Sequence, residues 1–208
     1  MRIQLENVLP GDIEKRSFEL IEQELKVELD PKLKPIIKRV IHTTADFEYI
    51  DNLCFSENVV DKGIEAIKNG AIFITDTNMG KAGINKKALE RFGNQVYCYM
   101  DDVDVAEYAK EHGVTRAVAS VEKAAKLNKK IIYVVGNAPT ALIRLYELIT
   151  EGKIKPEVII GVPVGFVNVV ESKELIMKTN IPYIVARGRK GGSNVAASIC
   201  NALLYMIP

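Results

Sequence analysis

Five short apolar segments lie between residues 71 and 186, and each is rich in β-branched or aromatic residues. They are AIFIT (71–75), VYCYM (96–100), IIYVVG (131–136), EVIIG (157–161) and PYIVA (182–186). Successive apolar positions predict strands that are buried on both faces, and the segments between them have helical periodicity. The sequence therefore predicts an α/β fold of three layers around a five-stranded parallel sheet. A length of 208 residues is typical of a single domain, here residues 1–208.

Helical periodicity also predicts two helices before the first strand. The first covers about residues 12–28. The second follows Pro31 and carries an apolar stripe formed by Leu33, Ile36, Ile37, Val40 and Ile41. Ser56 is the expected N-cap of a third helix that Gly70 ends. The segment GGSNVAASICNALLYMI predicts a final helix capped by Ser193 or Asn194.

Four loops that follow predicted strands are rich in small residues: TDTNMGKAGI, GNAPTALIRL, GVPVGFVNVVESKE and RGRKGGSNVA. In the second loop Pro139 suits the first turn of a helix, with Asn137 or Ala138 before it, so free backbone N–H groups are expected to face a ligand carboxylate or phosphate. In the fourth loop Arg187 and Arg189 favour the same kind of ligand. The alternative is that tight turns need glycine and proline and that such a charge run is solvated.

Composition excludes several classes of function. Lys and Arg number 28 against 27 Asp and Glu, which does not favour nucleic-acid binding. Three cysteines without C-x-x-C spacing indicate reduced thiols and a cytoplasmic protein. His42 and His112 lie far apart with no cysteine or histidine at ligand spacing, so no metal site is expected. No segment predicts a membrane span, and neither G-x-G-x-x-G nor a P-loop occurs.

Several ordered strings resemble one enzyme family. RVIHTTADFEY, GNAPTAL, GVPVGFVNVVESKE and RGRKGGS, preceded by EKRSFELI, resemble the precorrin-8X methylmutases of cobalamin biosynthesis, which include the cobalt-precorrin-8 methylmutases. The resemblance implies a doubly wound, flavodoxin-like fold with extra N-terminal helices. It also implies a homodimer with active sites near the interface, and migration of a methyl group from C-11 to C-12 of a tetrapyrrole substrate without a cofactor. The string HTTAD resembles the cobalt-using members more closely.

The resemblance also implies which residues form the site. His42 is the expected catalytic residue, which protonates or hydrogen-bonds a ring nitrogen of the substrate. The residues expected to bind the substrate are Ser17, Arg39, Thr43, Arg116, Asn137, Ala138, Thr140, Arg187, Arg189, Gly191, Gly192 and Ser193.

Histidine suits this chemistry because its unperturbed pKa of about 6.5 allows it to donate a proton near neutral pH. Asp46, one helical turn after His42, is a hypothetical partner that orients the ring or offsets the charge of Arg39. Phe166, Val167 and Met79 are candidates for an apolar floor beneath the macrocycle, and the alternative is that they pack in the core or within their loops.

Three other interpretations stay open at this point. A histidine at a helix end, His42 or His112, can simply cap backbone carbonyls, and for His112 that interpretation is favoured. The chain could bind a corrinoid as a carrier without turnover. It could also be an unrelated flavin or nucleotide protein, although the phosphate-binding fingerprints are missing.

Overall fold

A computed structural model describes residues 6–208 and contains one six-stranded sheet. The strands are β1 (Leu53–Phe55), β2 (Ile72–Thr75), β3 (Val96–Tyr97), β4 (Ile131–Val135), β5 (Val158–Gly161) and β6 (Tyr183–Ala186). Their order across the sheet is β1-β6-β5-β4-β2-β3. All neighbouring pairs are parallel except β1 and β6.

The five parallel strands lie within the five predicted apolar segments, although β3 takes up only the first two residues of VYCYM and is half-buried. Their order is that of flavodoxin-like sheets. Numbered among themselves along the chain, they lie in the order 2-1-3-4-5. The chain reverses direction across the sheet between β2 and β4, which is the switch point where doubly wound sheets bind ligands. The predicted fold class is therefore confirmed.

The sixth strand was missed. Strand β1 pairs antiparallel with β6, with Cys54 opposite Val185. At three residues it is too short to show the periodicity that predicts strands. Ser56 extends this pairing: its N–H donates to the Tyr183 carbonyl (3.0 Å) and its Oγ accepts from the Tyr183 N–H (2.8 Å). The prediction of Ser56 as a helix N-cap is therefore wrong, and Asn58 occupies that position.

Eleven α-helices surround the sheet in residues 6–208, after a short 3₁₀ turn at Pro10–Asp12. They are α1 (Ile13–Glu24), α2 (Lys34–Thr44), α3 (Tyr49–Asn52), α4 (Val59–Lys68), α5 (Asn78–Gly83), α6 (Lys86–Glu90), α7 (Val103–His112), α8 (Arg116–Ala125), α9 (Pro139–Thr150), α10 (Val169–Met177) and α11 (Ser193–Tyr205). Alternate strand residues pack in two separate cores, such as Phe73 with α4 and α11 and Ile74 with α8 and α9. The sheet is therefore covered on both faces.

The N-terminal helices attach to the rest of the fold through α11. Helix α2 packs against α11, and its residues Ile36, Ile37, Val40 and Ile41 are buried as their spacing predicts. Helix α1 ends at Glu24, earlier than predicted. There the backbone becomes extended, and Leu25 and Leu29 turn inward to pack against the same core.

The switch point is occupied by a carboxylate of the protein itself. Asp76 follows β2 and is only 4% exposed. Its oxygens accept the backbone N–H groups of Gly136 (2.8 Å), Asn137 (2.8 Å) and Ala138 (2.7 Å), which precede helix α9. Burial raises the pKa of this carboxyl, and the three N–H donors oppose that rise. Strand β2 is thereby fastened to the start of α9.

Gly136 also allows α11 to start beside the switch point. A Cβ atom at this position would lie 2.6 Å from Ser193 Cα and 2.9 Å from its nitrogen. Both contacts are to backbone, which cannot rotate away. The close approach of β4 and α11 therefore requires glycine here.

Two negative observations apply to residues 6–208. None of their helices is long and apolar enough to cross a membrane. These residues also contain no cluster of three or more histidine, cysteine or acidic side chains suited to holding a metal ion.

We predict that Gly136→Ala destabilises the protein by about 2 kcal/mol, because the added methyl group forces β4 and α11 apart. Urea unfolding followed by circular dichroism measures the change. Gly11→Ala is the matched control, since no heavy atom lies within 4 Å of a Cβ placed there. Equal stability of the two variants would contradict the packing argument.

We predict that Asp76→Ala lowers the free energy of unfolding by about 3 kcal/mol, because buried N–H groups lose their acceptor. Formate should restore part of the lost thermal stability, since it supplies a carboxylate to the same N–H groups at a helix N-terminus. Thermal unfolding in formate and in chloride of equal ionic strength measures this. Asp51→Ala, an exposed position, is the control. Stabilisation of both variants to the same extent would rule out a local effect.

Candidate active site

The candidate catalytic histidine is held by a side chain of another helix. His42 is half-buried in the last turn of α2, and its Nδ1 lies 2.7 Å from Ser17 Oγ on α1. No backbone carbonyl of residues 6–208 hydrogen-bonds the ring, so the interpretation of His42 as a helix-end cap is wrong. His112 does make that contact, with Nδ1 3.0 Å from the Tyr108 carbonyl.

Phe18 lies at the centre of this cluster. Its ring stacks on His42, with centroids 5.2 Å apart, and the guanidinium carbon of Arg39 lies 4.7 Å from its centroid. Arg39 also lies 5.1 Å from the centroid of Tyr205 and pairs with Glu14. The Phe18 ring therefore joins the His42 imidazole and the Arg39 guanidinium in one cluster between α1, α2 and α11. Cation–π contact of this kind stabilises the guanidinium position.

Thr43, the next residue on α2, is exposed. Its hydroxyl donates to the Arg39 carbonyl of its own helix at 2.9 Å. This local bond is common for threonine inside helices and leaves the side chain at the surface beside His42.

Asp46 does not contact His42. Its carboxylate accepts from Lys190 Nζ at 2.5 Å, and Lys190 also lies 2.8 Å from Glu48. The hydrogen bond from Lys190 lowers the pKa of Asp46, and the two carboxylates raise the pKa of Lys190 to about 12. The hypothesis that Asp46 orients the imidazole is therefore wrong. Ser17 does so, and Asp46 instead ties the end of α2 to the loop after β6.

The loop after β6 carries three cations in different environments. Arg187 pairs with Glu174 on α10 at 3.1 Å, and Lys190 pairs with Asp46 and Glu48. Arg189 has no carboxylate partner within 4.0 Å among the residues that the structure describes. Its guanidinium carbon lies 5.3 Å from the centroid of the Phe166 ring in the preceding strand's loop. Arg189 is thus the cation of this loop that can accept an external anion.

Gly191, Gly192 and Ser193 make contacts inside the chain. A Cβ on Gly191 would lie 2.1 Å from the Val162 carbonyl oxygen, and the Gly192 N–H donates to that oxygen at 2.8 Å. Ser193 begins α11, with Gly192 as the N-cap residue, and its hydroxyl lies 2.7 Å from Thr77 Oγ1. These contacts explain the residue types without a ligand, and a role in binding stays a prediction.

The loop after β4 differs from its prediction. The backbone N–H groups of Asn137 and Ala138 are not free for a ligand, because both donate to Asp76. The expectation of an open anion site at the start of α9 is therefore wrong. The Asn137 side chain is exposed and has no hydrogen-bond partner in residues 6–208.

Arg116 begins α8 and Thr140 lies in the first turn of α9, and the residue before Arg116 links the two helix starts. Thr115, the N-cap of α8, places its hydroxyl 3.1 Å from that of Thr140. The neighbouring Arg116 donates to the Met100 carbonyl after β3 at 3.4 Å, and its side chain is exposed. This pair lies on the face of the sheet that α8 and α9 cover, whereas His42 lies on the other face.

The three candidates for an apolar floor are exposed. Relative exposure is 80% for Phe166, 77% for Val167 and 70% for Met79. The alternative that they pack in the core is therefore wrong. Met79 and Phe166 lie in or after the loops that follow β2 and β5, at the carboxyl edge where ligands of such folds bind.

Sequence reasoning did not single out several residues that organise the site: Phe18, Asp76, Thr77 and Thr115. Phe18 directly follows Ser17 in the string EKRSFELI. A helical wheel of this segment could have shown that both residues lie on the side of the first helix that faces α2. The other three are polar residues directly after a strand or before a helix. Thr77 and Thr115 cap helices locally, whereas distant partners such as Gly136 for Asp76 are revealed only by the structure.

The chain matches known proteins over most of its length. The sequence model of the precorrin-8X methylmutase family matches residues 12–206. A cobalt-precorrin-8 methylmutase from Salmonella typhimurium is 44% identical, covering 94% of this chain and 95% of the relative. The enzyme of that name from Priestia megaterium is 43% identical, covering 94% and 88%. A precorrin-8X methylmutase from Pseudomonas aeruginosa is 37% identical, covering 92% and 93%.

A solved structure agrees with these sequences. The precorrin-8X methylmutase from Thermus thermophilus superposes with a TM-score of 0.86 at 38% identity, covering 94% of this chain and 96% of that one. The match to the family's sequence model begins at residue 12 and therefore includes the helices that carry Ser17 and His42. This chain belongs to the precorrin-8X methylmutase family.

Proposed function

We propose that this enzyme moves a methyl group from C-11 to C-12 of precorrin-8X or its cobalt form, giving hydrogenobyrinate or cobyrinate, and that His42 assists by protonating or hydrogen-bonding a ring nitrogen. The observation that carries the proposal is the hydrogen bond between Ser17 Oγ and His42 Nδ1. It fixes the imidazole by one nitrogen and leaves the other for the substrate.

The Ser17 hydroxyl suits either protonation state of the ring. If it donates to Nδ1, the single proton of neutral imidazole resides on Nε2. If it accepts, the ring is either imidazolium, with protons on both nitrogens, or the neutral Nδ1–H form, whose Nε2 carries no proton. The proposed role requires one of the two forms in which Nε2 carries a proton, because only these donate to the substrate. No side chain of residues 6–208 hydrogen-bonds Nε2, so it is available to an unprotonated ring nitrogen of the macrocycle.

A proton or strong hydrogen bond on that nitrogen draws electron density from the conjugated framework. The migrating methyl group then moves with its bonding pair from C-11 to the electron-poor neighbouring carbon, while C-11 rejoins the conjugated system. No nucleophile or electron carrier enters this balance, so we propose that no cofactor takes part. Cobalt, where present, belongs to the substrate.

The carboxylates of the substrate need cationic partners. Arg189 is free of carboxylates among the described residues and lies beside the exposed Phe166, so the two offer a charge and an apolar face together. Arg39, Arg116, Arg187, Thr43, Thr140 and Asn137 are further proposed binding residues. We retain Gly191 and Ser193 as proposed contacts through backbone or shape, and Ala138 and Gly192 as contacts through shape alone, because their N–H groups donate to Asp76 and Val162.

We further propose a cytoplasmic homodimer with active sites near the interface. The position of Arg116 and His42 on opposite faces of the sheet supports this, because a second subunit can bring one group close to the other. Three apolar side chains are also exposed, and substrate or a partner subunit can cover them: Phe166, Val167 and Met79.

We predict that His42→Ala lowers the methyl-transfer rate about a hundredfold or more, because proton donation contributes this much in comparable sites. Ser17→Ala should lower it about tenfold, through loss of one orienting hydrogen bond. An anaerobic absorption time course with cobalt-precorrin-8 measures both. His112→Ala, at the only other histidine, should keep the wild-type rate. Wild-type turnover by His42→Ala would exclude the proposed acid, and binding without any spectral change by the wild type would indicate a carrier.

We predict a higher kcat/KM for cobalt-precorrin-8 than for metal-free precorrin-8X. The relatives named for the cobalt substrate include ones at 43% and 44% identity, against 37% and 32% for two named for precorrin-8X. Parallel time courses with the two substrates at equal concentration test this. Faster conversion of the metal-free substrate would reverse the assignment.

A further inference from the structure

Lys173 of α10 is a fully buried lysine. Its relative exposure is 0%, which is rare for this residue type, because transfer of an ammonium group out of water is costly. None of the carboxylates in residues 6–208 lies within ion-pair distance of it. Burial lowers the pKa of its ammonium to about 8.

The ammonium binds the loop that follows β6. Lys173 Nζ donates to the carbonyl oxygens of Gly188 and Lys190, both at 2.8 Å. Between them, the carbonyl of Arg189 accepts the N–H of Gly165 at 3.2 Å. Three successive carbonyls of this loop are therefore held from inside the protein.

This anchoring determines where the Arg189 side chain goes. Its two flanking carbonyls are fixed by Lys173, and its own carbonyl is fixed by the loop that also carries Phe166. The guanidinium lies over the Phe166 ring and meets no carboxylate among residues 6–208. Gly188 contributes the required bend, with φ +80°.

A purely space-filling role does not account for a lysine at this position. Methionine has a similar length and would fill the same space without the cost of a buried charge. What methionine lacks is the ability to donate two hydrogen bonds to diverging carbonyls. The hydrogen bonds of Lys173 therefore assign it a role in the loop and not in the core.

We infer that Lys173 is a positioning residue: it fixes the loop of residues 187–190 so that the Arg189 guanidinium is set to bind a carboxylate of the substrate. This inference rests on the proposed function for the identity of the carboxylate. The anchoring of the loop is independent of it.

The anchoring is tested with trypsin, because Arg187, Arg189 and Lys190 are cleavage sites within the anchored loop. Native Lys173→Met should be cut in this loop about tenfold faster or more than the wild type, with mass spectrometry locating the cuts. Lys178→Met, at an exposed position directly after α10, is the matched control and should be cut at the wild-type rate. Equal loop cleavage in all three proteins would overturn the inference.

Positioning is tested by kinetics with cobalt-precorrin-8. Lys173→Met should raise KM about tenfold, the equivalent of one charged contact, and change kcat less than twofold, since His42 lies outside this loop. In an Arg189→Met background the same substitution should cause no further rise in KM, because Lys173 acts through Arg189. Additive effects, or an unchanged KM, would overturn the positioning role even if the loop is cut faster.

If Lys173→Met does not fold, the Lys173→Ala variant still tests the positioning role. Lys173→Ala leaves a cavity that ethylammonium fits, and ethylammonium should restore the low KM whereas ethanol should not. Failure of Lys173→Met to fold, combined with no rescue of Lys173→Ala, would show a structural role only. The failure of the proposed function looks different, because the wild-type protein would then not convert the substrate, whether or not it binds it, while the trypsin experiment would still report on the anchoring.

Discussion

The hydrogen bonds between the Asp76 carboxylate and three backbone N–H groups are the contact on which the carboxyl edge of the sheet depends. They join the end of β2 to the start of α9 across the switch point, where other folds of this order leave space for a phosphate. An internal carboxylate at this place removes the usual nucleotide subsite. The ligand must therefore be bound by neighbouring loops, and the sheet serves as their rigid support.

Those loops are fastened to one another in the same manner. Gly136 permits α11 to start against β4, Gly191 lets the last loop lie on the Val162 carbonyl, and Lys173 holds two carbonyls of that loop. Each fastening involves backbone groups of a loop, and the one at the last loop also depends on the buried side chain of Lys173. The Arg189 side chain lies over the Phe166 ring and has no carboxylate partner among the residues that the structure describes.

The candidate catalytic cluster lies outside this framework. Helices α1 and α2 place Ser17, Phe18 and His42 together, and α2 is attached through α11 and through the pair of Asp46 and Lys190. That ion pair is the direct link between the histidine's helix and the loop carrying Arg189. The family relationship agrees with this layout, since the matched region includes both parts.

The sequence by itself determined the five parallel strands and the apolar stripe of α2, because burial of alternating or continuous apolar positions leaves a periodic record in the chain. It identified the family separately, through the resemblance of several ordered strings. It did not reveal β1, whose three residues pair through backbone atoms that every residue has. Nor did it reveal the partners of His42 and Asp46, or the fact that the N–H groups before α9 are already occupied. Those contacts join residues 25 to 144 positions apart, and only the tertiary structure decides which polar groups meet over such separations.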